Sequence, residues 1–123
     1  MAFLNDRVFD NGLTVLDTEA TRIDVTSQEA TTYAEATSTY TLGNSTSLSI
    51  GAPADRSGGG RKVAVAAITD GSITGTGTVT HYAITDTTNS RLLATAALTA
   101  SQSVTNGNTF TLATFDIGIP DPT

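Results

Sequence analysis

A chain of 123 residues suits one domain with a modest core, and its net charge of −6 combines 12 acidic with 6 basic side chains. Because an acidic surface repels phosphate backbones, we expect no nucleic-acid partner. Cysteine is absent, which excludes disulfides and thiolate metal ligands. The sequence has no basic N-terminal region followed by an apolar stretch and no apolar run of about 20 residues, so neither a secretory signal nor a membrane-spanning helix is expected.

The composition favours strands. Threonine is the most abundant residue, alanine is second, and charged residues make up only 15% of the chain. Side chains branched at Cβ pack well on the pleated surface of a sheet. We therefore predict a mainly β protein whose surface carries hydroxyl and methyl groups, which is typical of a chain that lies against another protein.

The first predicted elements are a short amphipathic helix within residues 6–19 and a strand at 21–27. The apolar stripe of the helix recurs at spacings of four and three residues: Phe9, Leu13 and Leu16. Gly12 interrupts this pattern and weakens it by about 1 kcal/mol relative to alanine. Such a stripe packs either on its own domain or on a neighbour. In the strand, Ile23 and Val25 alternate with polar residues, which predicts one buried and one exposed face.

The segment 27–47 is the predicted contact segment. It is polar, lacks a steady period, carries Tyr33 and Tyr40, and includes the turn signal Gly43-Asn44. A long loop inside a small domain is usually functional or is ordered by a partner. We therefore expect these residues to touch another protein.

The rest of the chain reads as short strands separated by turns. The predicted strands lie in segments 47–53, 61–70, 72–86, 92–98 and 109–119. In the third of these, Val79, His81 and Ala83 are expected on one face of the sheet. Phe110, Leu112, Phe115, Ile117 and Ile119 are predicted to supply core side chains near the end of the chain.

Three sequence signals mark the limits of these strands. Asp70-Gly71 is a turn dipeptide, and Asn106-Gly107 between apolar runs predicts a β-hairpin with a type I′ turn. Pro120 ends the last strand because proline cannot continue a hydrogen-bonded ladder. Together these elements predict a single antiparallel β-sandwich over residues 1–123, Ig-like or jelly-roll-like, with about seven strands and one N-terminal helix.

The stretch ADRSGGGRKVAVAAI, residues 54–68, raises the possibility of a phosphate-binding loop. A Walker-type loop needs a glycine directly before the lysine and a hydroxyl residue directly after it. Here Arg61 separates Gly60 from Lys62, and Val63 follows the lysine. The apolar run after it has strand length, so no helix N-terminus points at an anion. The stretch is better interpreted as a turn between strands.

No other catalytic or cofactor motif stands out. His81 is the single histidine, and its neighbours Val79 and Ala83 favour a packed imidazole over a catalytic base. The chain has no G-x-S-x-G elbow, no EF-hand frame, and no tryptophan to form a carbohydrate platform. We therefore predict a protein that is not an enzyme and has no catalytic residue, no metal and no cofactor.

Three stretches carry a resemblance to known proteins. TRIDVTSQEATTYAEATSTYTLG, GRKVAVAAITDGSITGTGTVTHYAITDTTNSRLLATAALTASQSVTNGNTFTL and FDIGIP resemble small proteins encoded among the structural genes of tailed bacteriophages. The resemblance covers nearly the whole chain, although members of this group often have proline where this chain has Ala30. It implies a virion component that is made in the bacterial cytoplasm.

The leading hypothesis is a capsid decoration, or cement, protein on the outer surface of a phage head. Its partner would be the lattice of the major capsid protein, with the chain acting as a homo-oligomer or assembling only on the lattice, because repeated weak contacts become durable. The candidate contact residues, each of which also has an ordinary surface explanation, are Tyr33, Tyr40, Arg56, Arg61 and Lys62. The alternative hypothesis is a tail, neck or fibre component, such as a receptor-binding module. Membrane and nucleic-acid partners are not expected.

Overall fold

The computed structural model of the chain describes residues 3–4, 12–58 and 60–120. The helical elements are α1 (Thr14–Glu19) and a π-helical segment (Glu35–Thr39). The strands are β1 (Phe3–Leu4), β2 (Arg22–Thr26), β3 (Thr41–Ser45), β4 (Ala54–Asp55), β5 (Arg61–Val65), β6 (Ile68–Ile73), β7 (Gly77–Asp86), β8 (Arg91–Val104), β9 (Thr109–Leu112) and β10 (Phe115–Ile119).

The strands form two antiparallel sheets. The large sheet has seven strands in the order β1-β8-β7-β2-β3-β6-β9, and the small sheet has three in the order β10-β5-β4. The predicted mainly β, sandwich-like architecture is confirmed.

One apolar cluster joins the two sheets. Ile23 and Ile84 from the large sheet, Val63 and Val65 from the small sheet, and Leu16 from α1 are all 0% exposed. In β5 the buried valines alternate with more exposed residues, as the period of a strand requires. Fully burying each such side chain stabilises the fold by about 1.5–3 kcal/mol.

The helix α1 lies within the predicted range of 6–19, of which residues 6–11 are outside the described residues. Gly12 has a φ of +71°, a left-handed conformation that glycine adopts without strain, so a turn precedes α1. Leu13 and Leu16 are buried, as the apolar stripe predicts. Phe9 lies outside the described residues.

The strand β2 is buried on both faces, so the prediction of a half-buried strand is wrong. Asp24 and Thr26, expected on the open face, are 0% exposed. The π-helical segment contacts β2, and beside it Tyr40 packs on a second apolar cluster that includes Ala30 and Ala36.

The segment 27–47 is not one continuous loop, because it contains the π-helical segment and β3. The backbone N–H of Tyr40 donates to the Glu35 carbonyl at 2.9 Å, the five-residue spacing of a π-helix, and β3 follows directly. Gly43 is not in a turn but inside β3, where a Cβ atom would lie 2.6 Å from the carbonyl oxygen of Ser72. Glycine is needed there because two strands approach closely.

The predicted strand at 61–70 is two strands in different sheets. The chain leaves the small sheet after Val65 and enters the large sheet at Ile68. Asp70 and Gly71 lie inside β6 and form no turn. The predicted strand at 47–53 is reduced to a single bridge, between Ile50 and Val65.

The predicted facing of β7 is partly reversed at an irregularity in its pairing with β8. Its register against β8 shifts between Val79 and His81. Val79 therefore packs in the cluster between the sheets, whereas Ala83 packs with Ala30 and Ala36 on the other side. The prediction that Val79 and Ala83 share a face is wrong, because the regular alternation of β7 is interrupted where residues 98–101 of β8 lie opposite Thr80 alone.

The turn at Asn106-Gly107 forms, but it does not close a hairpin. The N–H of Asn108 donates to the carbonyl of Thr105 at 3.1 Å, and Gly107 has a φ of +93°. The turn joins β8 to β9, and β9 pairs with β6 at the other side of the sheet. Only one of its two central residues has a positive φ, so the turn is not type I′.

At the end of the chain, the predicted strand segment 109–119 is also two strands, β9 in the large sheet and β10 in the small sheet. β8 contains the predicted strand at 92–98 and extends to Val104. Phe110 and Ile117 are buried in the cluster between the sheets, and β10 ends at Ile119, directly before Pro120.

Candidate protein-contact surface

The predicted contact residues fall into two groups on different sheets. Tyr33 and Tyr40 flank the π-helical segment, which contacts β2 and β3 of the large sheet. Arg56, Arg61 and Lys62 lie at the turn between β4 and β5 of the small sheet. Their role in binding remains a prediction, and the contacts of each group show what it can offer a partner.

A buried ion pair anchors the first group. Arg22 donates from Nε and Nη2 to the two carboxylate oxygens of Asp24 at 2.7 and 2.8 Å, and Thr41 Oγ1 donates to the same carboxylate at 2.6 Å. Burial raises the pKa of Asp24 more than these hydrogen bonds lower it, because Asp24 is 0% exposed. Arg22 also reaches the carbonyl of Thr37 at 3.4 Å, which links the π-helical segment to the sheet.

Glu35 organises the start of the π-helical segment. Its Oε1 accepts hydrogen bonds from the N–H and the hydroxyl of Thr31 at 2.9 and 2.7 Å. These bonds lower the pKa of Glu35. The hydroxyl of Tyr40 also interacts with Glu35, which raises the pKa of the phenol.

Both tyrosines are half-buried. Tyr40 packs against the cluster that includes Ala36 and Leu92, so its ring supports the fold of the segment. Tyr33 lies near the guanidinium of Arg22. The structure therefore presents part of each ring to solvent and uses the rest for packing.

The basic turn is balanced by acidic residues. Arg61 Nη1 lies 2.5 Å from Asp55 Oδ1, and Lys62 Nζ lies 2.9 Å from Asp116 Oδ2. Both pairs are partly exposed, and such pairs contribute about 0–1 kcal/mol. Lys62 and Asp116, with Arg56, line a mixed-charge cleft of about 390 Å³, which does not have the uniform positive charge expected for an acidic partner.

An apolar cleft between β8 and the connection from β9 to β10 was not predicted. It has a volume of about 400 Å³, and its lining includes Tyr82, Leu98, Leu112 and Phe115. The rings of Tyr82 and Phe115 have centroids 4.7 Å apart, and burial raises the pKa of Tyr82 to about 12. The sequence contains one hint of this cleft, which is the absence of charged residues from 92 to 115. That β8 and the connection from β9 to β10 lie side by side depends on the pairing of distant strands, which the sequence does not show.

Two polar side chains elsewhere in the fold, His81 and Asp70, have nearby hydrogen-bond partners. His81 Nδ1 lies 2.8 Å from Thr80 Oγ1, and the carboxylate of Asp70 accepts from the hydroxyls of Ser45 and Ser47, which lower its pKa. Within residues 12–58 and 60–120, no group of three or more His, Asp and Glu side chains is placed to hold a metal ion.

Two further findings bear on the class of protein. In the part of the chain that the structure describes, no helix has the length and apolar character needed to cross a membrane. Comparison with protein families, curated proteins and solved structures found no match to this chain.

Proposed function

We propose that this chain is a non-enzymatic structural protein of a bacteriophage virion, which decorates the outer surface of the head by binding the major capsid protein lattice. The resemblance of its sequence to phage structural proteins is one support for this proposal. Its acidic net charge of −6 is another, because an acidic protein is better suited to the outside of a capsid than to the DNA-filled interior.

The observation that carries the proposal is an uncharged surface along the large sheet. Residues 92–115 contain no acidic or basic side chain, although the chain has 18 such residues. The exposed positions of this stretch carry only Ala, Thr, Ser, Gln, Asn and Gly. Short side chains lose little conformational entropy when they are covered, and uncharged ones are cheap to desolvate.

A surface of this kind suits contacts that are individually weak and repeated many times. The symmetry of a capsid presents the same binding site at every equivalent position of the lattice. When neighbouring copies of the chain also touch each other on the lattice, one bound copy raises the effective concentration of the next copy at its binding site. A small rigid body with an uncharged face therefore gains durable attachment without a large interface of its own.

The proposal is tested by adding the purified chain to heads and, separately, to tails of the phage that encodes it, both prepared without the protein. We expect saturable co-sedimentation with heads at a fixed number of copies per capsid. Binding to tails alone would favour the alternative, a tail, neck or fibre component. Binding to neither particle would contradict a virion role.

Arg61→Gln tests the predicted contact between the basic turn and the lattice. Arg61 is chosen because its side chain is more exposed than that of Lys62, the other predicted contact residue with a defined ion pair. The matched control is Thr88→Glu, which changes the net charge by the same amount at an exposed turn position. If the basic turn meets the lattice, only Arg61→Gln weakens binding to heads. Equal effects of the two variants would show that only net charge matters.

A further inference from the structure

Among the residues that the structure describes, the outer edge of β8 has a strand partner only near its start. β1 pairs with only two residues of β8, Ala94 and Thr95. Within residues 12–58 and 60–120, the strand that pairs with β8 is β7, on the opposite side. Residues 98–104 therefore direct backbone N–H and C=O groups outward, and such an edge is a template for another strand.

This edge lacks the features that usually prevent pairing. Natural edge strands are protected by charged side chains or proline. Residues 92–115 contain neither. β9, at the other edge of the large sheet, is also uncharged, but it is only four residues long and offers few outward hydrogen bonds.

A bulge leaves part of this edge with little pairing on either side. Val79 is opposite Gln102 and His81 is opposite Ala97, so residues 98–101 face only Thr80 of β7. The side chains at positions 99–103 are all exposed. Their backbone groups can be satisfied by water or by a strand from outside the sheet.

We infer that two copies of this chain associate through β8, with residues 98–104 of each copy forming antiparallel strands across a two-fold axis. A two-fold interface brings the same residues of both copies together. Because residues 98–104 carry no charge, this pairing creates no like-charge contact even though each chain has a net charge of −6. The inference does not depend on the proposed virion role.

The pairing also places a second copy beside the apolar cleft. Leu98 begins the open segment and lines that cleft with Leu112 and Phe115. A strand added along residues 98–104 therefore begins beside an apolar surface, at Leu98 and Thr99, as well as satisfying backbone groups. This combination of main-chain hydrogen bonds and apolar contact is typical of strand addition.

The test is sedimentation equilibrium of the full chain over a wide range of concentration. We expect a reversible dimer for the wild type. Ser101 lies at the centre of residues 98–104, so Ser101→Lys places two lysines opposite each other and raises the dissociation constant at least about tenfold. Ser101→Thr keeps a neutral strand-forming residue and preserves the dimer.

Two further variants make the test specific. Ser103→Lys adds a charge at a second exposed position of the same edge and is expected to dissociate the dimer as well. Thr88→Lys adds the same charge at an exposed turn between β7 and β8, at the opposite end of β8 from residues 98–104, and leaves the dimer intact. Unchanged circular dichroism in all variants separates loss of pairing from loss of folding. A wild type that is monomeric throughout, a Ser101→Lys dimer as tight as the wild type, or a Thr88→Lys variant that dissociates equally would overturn the inference.

Discussion

Asp24 shows how this fold holds a charge inside a sheet. Its carboxylate is 0% exposed and accepts two bonds from Arg22 and one from Thr41. The planar guanidinium matches both carboxylate oxygens, and 23% of the Arg22 side chain stays exposed. The pair therefore connects the core of the sheet to its surface beside the π-helical segment.

The raised pKa of Asp24 predicts a pH dependence. A carboxyl group with a folded pKa above its ordinary value of 3.8 stabilises the fold most when protonated, so its contribution falls as pH rises through that range. We expect the stability of the wild type relative to Asp24→Asn, measured by urea unfolding, to be greater at about pH 3.5 than at about pH 7. A difference that increases with pH would mean that Arg22 lowers the folded pKa instead.

Tyr82 makes a prediction at alkaline pH. Burial raises its pKa from 10.0 to about 12, so the folded chain keeps this proton when the unfolded chain has lost it. Stability should therefore fall as pH rises from 10 towards 12. Spectrophotometric titration should show a late phenolate step that Tyr82→Phe removes. Because Glu35 also raises the pKa of Tyr40, the amplitude of the late step decides the test: an amplitude that is unchanged in Tyr82→Phe would refute the assignment.

At the scale of elements, two glycines act as spacers between strands. A side chain at Gly43 would meet the backbone of β6, and one at Gly71 would meet the ring of Phe110 on β9. In the sequence both look like turn residues, because each follows or precedes a polar residue of the turn-forming type. Their structural role depends on a neighbouring strand, which the local sequence does not reveal.

Gly71→Ala is expected to destabilise the fold by about 1–3 kcal/mol, because the added methyl overpacks the contact with Phe110. Gly51→Ala is the matched control, since its Cβ would be 3.9 Å from the nearest atom, the carbonyl oxygen of Ala64. Urea unfolding measures both. Combining Gly71→Ala with Phe110→Leu should recover part of the loss, and a double variant that shows purely additive losses would contradict the proposed clash.

Several elements could be predicted because their patterns are local. The apolar run that contains β5, the apolar run at the start of β8 and the stripe through Phe110 and Ile117 all predicted strands. The division of segment 61–70 between two sheets could not be predicted, because it depends on partners far along the chain. The π-helical segment lacks any apolar period, and it is held by Glu35 and by the Arg22–Asp24 pair.

The candidate contact residues were also predicted without knowledge of their partners far along the chain. The sequence identified a basic turn, but the ion pair between Lys62 and Asp116 joins residues 54 positions apart. It also placed Tyr40 in an open loop, although the ring packs on the alanine cluster. The sequence shows which side chains are able to contact a partner protein. The tertiary structure shows which of them are already paired or packed within the chain.

At the scale of the whole molecule, charge is unevenly distributed along the chain. All 18 acidic and basic residues lie outside residues 92–115, which form β8 from its second residue onward and all of β9. These strands lie at or next to the two edges of the large sheet. Both the proposed attachment to a capsid and the proposed pairing of two copies use this neutral part of the surface.

The most direct measurement is electron microscopy of virions labelled with gold-conjugated antibody against this chain. Dense, regular label over the head is the result that the proposed function predicts, with antibody pre-absorbed by the purified chain as the control. Label confined to the tail or its tip would contradict capsid decoration and favour the tail or fibre alternative. Virions without label, from lysates in which the chain is readily detected, would contradict any exposed place in the virion.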